Sequence, residues 1–137
     1  MHIAQFALTV REYDEAIAFY VGVLGFQLLE DTDMGAGKRW VRIAPPLCPS
    51  GGAGILLARA ATEVQLASVG NQTGGRVFIF LHTDDFDRDY KRYLAGGVKF
   101  HGVPRHEPYG TVVVFEDLYG NKFDLIGPTK NAATLPA

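Results

Sequence analysis

Large apolar side chains recur at every second position near the start of the chain, and the spacing then becomes helical. In residues 3–10, IAQFALTV, this alternation predicts a strand with one buried face. Residues 11–26 begin with acidic side chains, carry apolar residues three and four positions apart, and end near Gly25. The pattern predicts a strand and then an amphipathic helix that covers a sheet.

The same order of elements returns about 73 residues later. Residues 76–83, RVFIFLHT, predict a strand, and residues 84–97 predict a second helix that opens with aspartates and ends at two glycines. Further strands are predicted at 26–31, 39–45 and 54–60 in the first half, and at 98–103, 111–117 and 121–127 in the second. The sequence therefore predicts an α+β fold of two βαβββ repeats that share one sheet system.

We interpret residues 1–137 as a single domain. Its predicted parts are repeat one at about 1–60, a linker at about 61–75, repeat two at about 76–128, and a C-terminal tail at 129–137. The glycine-rich segments 34–38 and 45–54 are predicted to be loops that cover a pocket.

Composition narrows the class of partner. With 47% hydrophobic residues the chain predicts a folded globular protein, and a net charge of −2 without a basic run argues against nucleic acid as a partner. The single cysteine, Cys48, cannot form an internal disulfide, which favours a reducing compartment. Without an apolar run of membrane-spanning length or a signal peptide, we expect a cytoplasmic protein with no membrane contact.

Three segments resemble the vicinal oxygen chelate superfamily, which includes glyoxalase I, extradiol dioxygenases and bleomycin resistance proteins. They are LTVREYDEAIAFYVGVLGF at 8–26, TDDFDRDYKRYLAGGVKF at 83–100 and FEDLYGNKFDL at 115–125. The resemblance implies that the repeats form a curved, cup-like mixed sheet, usually within a homodimer. It also implies that the cup holds a small molecule and, in many members, a divalent metal bound by His, Gln or Glu.

The metal-ligand positions that the resemblance implies fall on Gln5, Leu56, Phe78 and Asp124. Leu56 and Phe78 carry no donor atom, so two donors remain where a catalytic site needs about three. We therefore expect no cofactor. A divalent metal bound through Gln5 and Asp124, alone or with His101, is the alternative.

The fifth predicted strand places further candidates. By alternation, Phe78, Phe80 and His82 face the cup, while Val77, Ile79 and Leu81 pack on the helices. His82 lies about 13 Å along the strand from Phe78, which is too far for it to replace the missing ligand. We interpret His82 as a polar residue at the rim.

Other candidates combine aromatic and charged groups. Trp40 and Arg42 share one strand face, where a ring beside a guanidinium favours a planar or anionic group. Glu107 and Asp124 are candidate general bases, because apolar neighbours raise the pKa of a carboxyl. We interpret residues 103–112 around Glu107 mainly as a turn at the pocket edge, and Gly120 with Asn121 as a hairpin turn.

Two functions remain open. The first is metal-independent binding of a small apolar or aromatic molecule, as in bleomycin-resistance-type proteins. Its apolar contacts come from Trp40, Leu56, Phe78 and Phe80, and its polar ones from Gln5, Arg42, His82 and Asp124. The second is a lyase, isomerase or dioxygenase-related enzyme that uses a carboxylate base or a non-standard metal site.

Overall fold

The computed structural model describes residues 1–46 and 52–128. Cys48, much of the predicted loop 45–54 and the predicted tail 129–137 lie outside this part of the chain. The strands are β1 (Gln5–Val10), β2 (Gln27–Asp33), β3 (Arg39–Ala44), β4 (Gly54–Arg59), β5 (Val77–His82), β6 (Phe100–Glu107), β7 (Gly110–Glu116) and β8 (Lys122–Gly127). The helices are α1 (Tyr13–Ile17), which continues as a π-helical segment (Ala18–Val23), then α2 (Glu63–Ser68) and α3 (Phe86–Ala95).

The first repeat forms a compact unit over residues 1–72. Its four strands are ordered β1-β4-β3-β2, with β1 parallel to β4 and the other neighbours antiparallel. Alternate residues of these strands are buried, among them Leu8, Val41, Ile43 and Leu57. These side chains lie on the face of the sheet that bears the core of the unit.

The second repeat, from residue 73 onward, repeats this arrangement with strand order β5-β8-β7-β6 and a parallel β5–β8 pair. Its core is aromatic. The ring of Phe115 lies between those of Tyr93 and Phe123, at centroid distances of 5.3 Å and 5.0 Å. Tyr93 belongs to α3, so α3 packs on the core face of this sheet.

Each sheet thus has a buried core face and an opposite face, which we call its open face. The predicted α+β class, the two βαβββ repeats and all eight strands are confirmed. The strands are divided between two four-stranded mixed sheets, one for each repeat. No helix in the described part of the chain is long and apolar enough to cross a bilayer.

Three local features differ from the sequence prediction. The first predicted helix changes to π-helical geometry after Ile17, and its last turn closes with Leu24 N–H donating to the Phe19 carbonyl at 3.0 Å. The predicted linker contains α2, which Thr62 caps by accepting from the backbone N–H of Gln65. Such a short helix is governed by its cap and by tertiary contacts, neither of which gives a strong apolar period.

Strand β6 replaces most of the predicted turn at 103–112. It runs through Pro104 to Glu107, and its register against β7 shifts between His101 and Arg105. Proline is tolerated because β6 is an edge strand with an irregular ladder at this point. The turn itself is confined to Pro108 and Tyr109.

The β6–β7 hairpin depends on Gly110. Its φ is +144°, and a Cβ at this position would fall well inside the contact distance of the Gly127 carbonyl oxygen on β8. Gly97 also has a positive φ, of +78°, but a Cβ there would meet nothing within 4 Å.

We expect Gly97→Ala to lower the free energy of unfolding by about 1 kcal/mol through backbone strain alone. Gly110→Ala should lower it by about 3 kcal/mol, because a backbone clash is added. Urea denaturation of both variants checks this, and equal losses of unfolding free energy would contradict it.

Candidate functional site

The open face of the first sheet carries four of the predicted site residues. Arg42 pairs with Leu56 across β3 and β4, and Trp40 lies two residues from Arg42, so the three side chains share this face. Gln5 reaches the same face from β1, because its side chain contacts Arg42. Sequence alternation and strand register thus agree for this group.

Three polar side chains, Gln5, Arg42 and Glu30, are connected by hydrogen bonds in the middle of this face. The Arg42 guanidinium donates through Nε to Oε1 of Gln5 at 2.8 Å, and its Nη1 lies 3.5 Å from Oε1 of Glu30. Both partners are partly buried with it. The interaction holds the guanidinium in place and occupies the Gln5 oxygen that the resemblance offers to a metal.

A cavity of about 560 Å³ opens beside these hydrogen-bonded side chains, at the end of β3 and β4. Trp40, Leu56 and Ala58 form an apolar part of its wall. Two residues of the predicted pocket-covering loop, Ala36 and Lys38, also line it. The remaining lining residues are polar, charged or from the strand ends: Thr9, Tyr13, Arg39, Leu57, Arg59, Ala61 and Gln65.

Arg39 forms a fixed part of this wall. Its guanidinium donates to both carboxylate oxygens of Asp31, at 3.1 Å and 2.7 Å, and to Asp14 at 2.8 Å. Its backbone N–H donates to the hydroxyl of Tyr13. Hydrogen bonding to Arg39 lowers the pKa of Asp31, so the pair stays charged at neutral pH. Arg39 therefore serves mainly as a strut that ties β2, β3 and α1 together.

On the open face of the second sheet, strand register brings four side chains into one row. His101 pairs with Val114, Val114 with Asp124, and Asp124 with Phe80. The side chain of Phe80 is 61% exposed. His82 lies at the end of β5 and is exposed.

A bulge in β5 changes the predicted facing of Phe78. Val77 pairs with Lys122 and Ile79 with Phe123, which leaves Phe78 as the extra residue between two ladder positions. Register therefore does not assign Phe78 to the face of Phe80. The prediction that Val77 shares the core side with Ile79 is wrong, because the bulge reverses the alternation between them.

Asp124 is half-buried, and its Oδ1 has no hydrogen-bond partner among the described residues. Burial raises the pKa of this carboxyl, and the charge of Arg105 acts in the opposite direction without cancelling the effect. An acceptor oxygen that is shielded from water and unpaired is a functional candidate on physical grounds.

Glu107 lies at the end of β6, half-buried, with its Oε1 3.6 Å from Nη1 of Arg105. A contact that the sequence did not predict lies near the other end of β6. There Nε2 of His101 is in close contact with Oε2 of Glu116, and the Lys99 ammonium lies 3.5 Å from the same oxygen. Burial raises the pKa of Glu116, but these two partners outweigh it and leave the pKa lowered. Only the pairing of β6 with β7 brings His101 and Glu116 together, so no sequence motif marks them.

The four positions implied by the resemblance offer few free donor atoms. Leu56 and Phe78 have no donor atoms, and the Gln5 oxygen accepts from a guanidinium whose positive charge would repel a cation. Asp124 remains as one carboxylate. Across residues 1–46 and 52–128, no three His, Cys, Asp or Glu side chains are grouped closely enough to share a metal ion.

Comparison with known proteins places these features in a family. The model of the Glyoxalase/Bleomycin resistance protein/Dioxygenase superfamily matches residues 2–125. An uncharacterised protein of Shewanella frigidimarina (strain NCIMB 400) is 54% identical over 125 residues, which cover 90% of this chain and 91% of that protein. The uncharacterised protein YetH of Bacillus subtilis (strain 168) is 27% identical over 124 residues, 88% of this chain and 93% of YetH.

Solved structures agree. UcmS2 superimposes with a TM-score of 0.77 at 26% identity, over 92% of this chain and 97% of its own. TnmS3, described as an antibiotic binding protein from Streptomyces sp. CB03234, gives a TM-score of 0.72 at 29% identity, over 94% of this chain and 97% of its own. By sequence and by fold, the chain belongs to the Glyoxalase/Bleomycin resistance protein/Dioxygenase superfamily.

Proposed function

We propose that this protein binds a small apolar or aromatic molecule, without a metal, and acts by sequestering it. The observation that carries the proposal is the cavity of about 560 Å³ whose wall includes Trp40, Leu56 and Ala58. Ligand pockets commonly enclose about 300–1,000 Å³ and combine an apolar lining with a few fixed polar groups. The volume of this cavity lies in that range, and half of its lining residues are apolar.

Arg39, which lines this cavity, and Arg42, which lies beside it, are held before any ligand arrives. Arg42 is fixed by Gln5 and Glu30, and Arg39 by its aspartates. A rigid wall favours binding, because fewer side chains lose freedom when the ligand enters. The similarity to TnmS3, whose description names antibiotic binding, supports the same class of function.

The second sheet contributes further candidates to the proposal. Phe80 presents an exposed aromatic ring, and Asp124 an unpaired oxygen, on one open face. His82 lies at the exposed end of the same strand. A homodimer in the cytoplasm is part of the same proposal, supported by the family resemblance and by the single cysteine.

Trp40 is the only tryptophan in the chain, so its fluorescence reports on the cavity directly. We expect the neutral probe N-phenyl-1-naphthylamine to quench it on binding. Trp40→Ala should weaken that binding by about tenfold or more, because an aromatic wall residue contributes about 1.5–3 kcal/mol. Because Trp40→Ala has no tryptophan, its affinity is measured from the fluorescence of the probe itself.

Two variants control this experiment. Trp40→Phe keeps an aromatic wall and should retain most of the affinity. Tyr109→Ala removes a more exposed aromatic ring, from the β6–β7 turn outside the cavity, and should leave the affinity unchanged. If Trp40→Ala binds as tightly as the wild type, the cavity is not the site.

Metal independence has its own test. Because the inherited ligand positions supply one unpaired carboxylate and no third donor, we expect protein purified without chelator to contain far less than one equivalent of Fe, Ni, Zn or Mn. Elemental analysis after dialysis measures this. A stoichiometric metal that survives dialysis would refute the proposal.

The carboxyl of Asp124 favours an enzyme as the second candidate. A half-buried carboxylate with a raised pKa and one unpaired oxygen can accept a proton from a bound substrate more readily than an exposed one. If the protein is an enzyme, Asp124 is its general base. Glu107 is the weaker base candidate, because it is already ion-paired with Arg105.

The state of Asp124 can be measured through stability. Its folded pKa is raised, so the stability it contributes is complete below the unfolded pKa, about 3.9, and is lost as pH rises through the folded pKa. Asp124→Asn should therefore raise the melting temperature relative to wild type more at about pH 7 than at about pH 3. Glu107→Gln, which removes an ion pair, should not stabilise at neutral pH. An Asp124→Asn effect that does not vary with pH would mean that the carboxyl is well solvated.

A further inference from the structure

The charges around the Trp40 cavity are of one sign. Lys38, Arg39 and Arg59 line it, and no lining residue carries a carboxylate. The chain as a whole has a net charge of −2, so this local excess does not follow from composition. A concave site lined by one sign of charge attracts ligands of the opposite sign.

These three cations are neutralised to different extents. Arg39 is fully engaged by Asp14 and Asp31. Arg59 has one loose ion pair with an exposed carboxylate, since its Nη1 lies 3.7 Å from Oε2 of Glu12, and its guanidinium lies over the ring of Tyr13 at 5.6 Å. The ammonium of Lys38 has neither a hydrogen bond nor an ion pair within the described part of the chain. Lys38 and Arg59 therefore supply the positive potential.

The β2–β3 loop brings these two cations to the same rim. A backbone turn closes the loop, with Met34 N–H donating to the Lys38 carbonyl at 2.8 Å. Gly37, at a φ of +79°, approaches the Arg59 side chain so closely that a Cβ would lie 3.3 Å from Nη2. Packing of Gly37 on the guanidinium places Lys38, the next residue, beside it.

Trp40, Leu56 and Ala58 line the same cavity as these cations. Aromatic and aliphatic walls accept a planar ring system, and ammonium and guanidinium groups form charge-assisted hydrogen bonds with carboxylate or sulfonate oxygens. We propose that the ligand is an aromatic anion, whose ring contacts Trp40 and whose acidic group is bound by Lys38 and Arg59. The inference rests on the proposed binding function and specifies its ligand class.

A matched pair of probes tests this. 1-Anilinonaphthalene-8-sulfonate and N-phenyl-1-naphthylamine share the same ring system, but only the first carries a negative charge. We expect the wild type to bind the sulfonate about tenfold more tightly, which corresponds to 1.4 kcal/mol, and to lose that preference as salt rises. Quenching of Trp40 confirms that each probe reaches the cavity.

Variants separate the rim from the overall charge. Lys38→Gln with Arg59→Gln should remove the preference for the sulfonate, measured as the ratio of the affinities for the two probes. Lys91→Gln removes one exposed cation from α3 and should change neither affinity. A preference that survives the double variant, or that falls equally in Lys91→Gln, would overturn the anion inference.

The probes also distinguish failure of the inference from failure of the proposed function. Equal affinity for both probes, with quenching of Trp40, overturns the anion inference and leaves the binding function standing. If neither probe quenches Trp40 or binds, both proposals are overturned.

Discussion

Parallel pairing of β1 with β4, and of β5 with β8, is the constraint on which the rest of each unit depends. A parallel neighbour requires the chain to return to the same end of the sheet, and the helix that begins this return covers one face. The apolar side chains lie on that covered face, where Leu8, Leu57, Phe123 and Leu125 are completely or almost completely buried. The alternate positions are left for other chemistry, so both open faces follow from one topological requirement.

The alternation of side chains along β3 then decides which groups its two arginines contact. Arg39 and Arg42 are three residues apart and lie on opposite faces. Arg39 ties β2 and α1 together through Asp31 and Asp14, while Arg42 organises the open face through Gln5. Both guanidiniums are satisfied, so neither leaves a buried charge uncompensated. The positive potential of the neighbouring cavity therefore comes from its rim and not from these structural pairs.

Much of the fold could be predicted because alternation and helical spacing are local signals. All eight strands and the βαβββ repeat follow from them, as does the shared face of Trp40 and Arg42. The bulge at Phe78 could not be predicted, since it arises where β5 meets β8 and no residue type marks it. The contact of His101 with Glu116 was missed for the same reason, because the two side chains come from different strands. For Asp124, the resemblance identified the position, but only packing shows that one oxygen is buried without a partner.

The family, the order of strands and helices, and the absence of donor atoms at Leu56 and Phe78 could all be read from the amino-acid sequence. These are properties of single residues and of short-range periodicity, which folding does not alter. Only the folded chain shows that the Gln5 oxygen accepts from Arg42, and that Lys38, Arg59 and Trp40 line one cavity. These outcomes depend on strand register and on a loop whose conformation places distant residues together. Distances between side chains on different strands are set only when the sheet forms, so no pattern along the chain contains them.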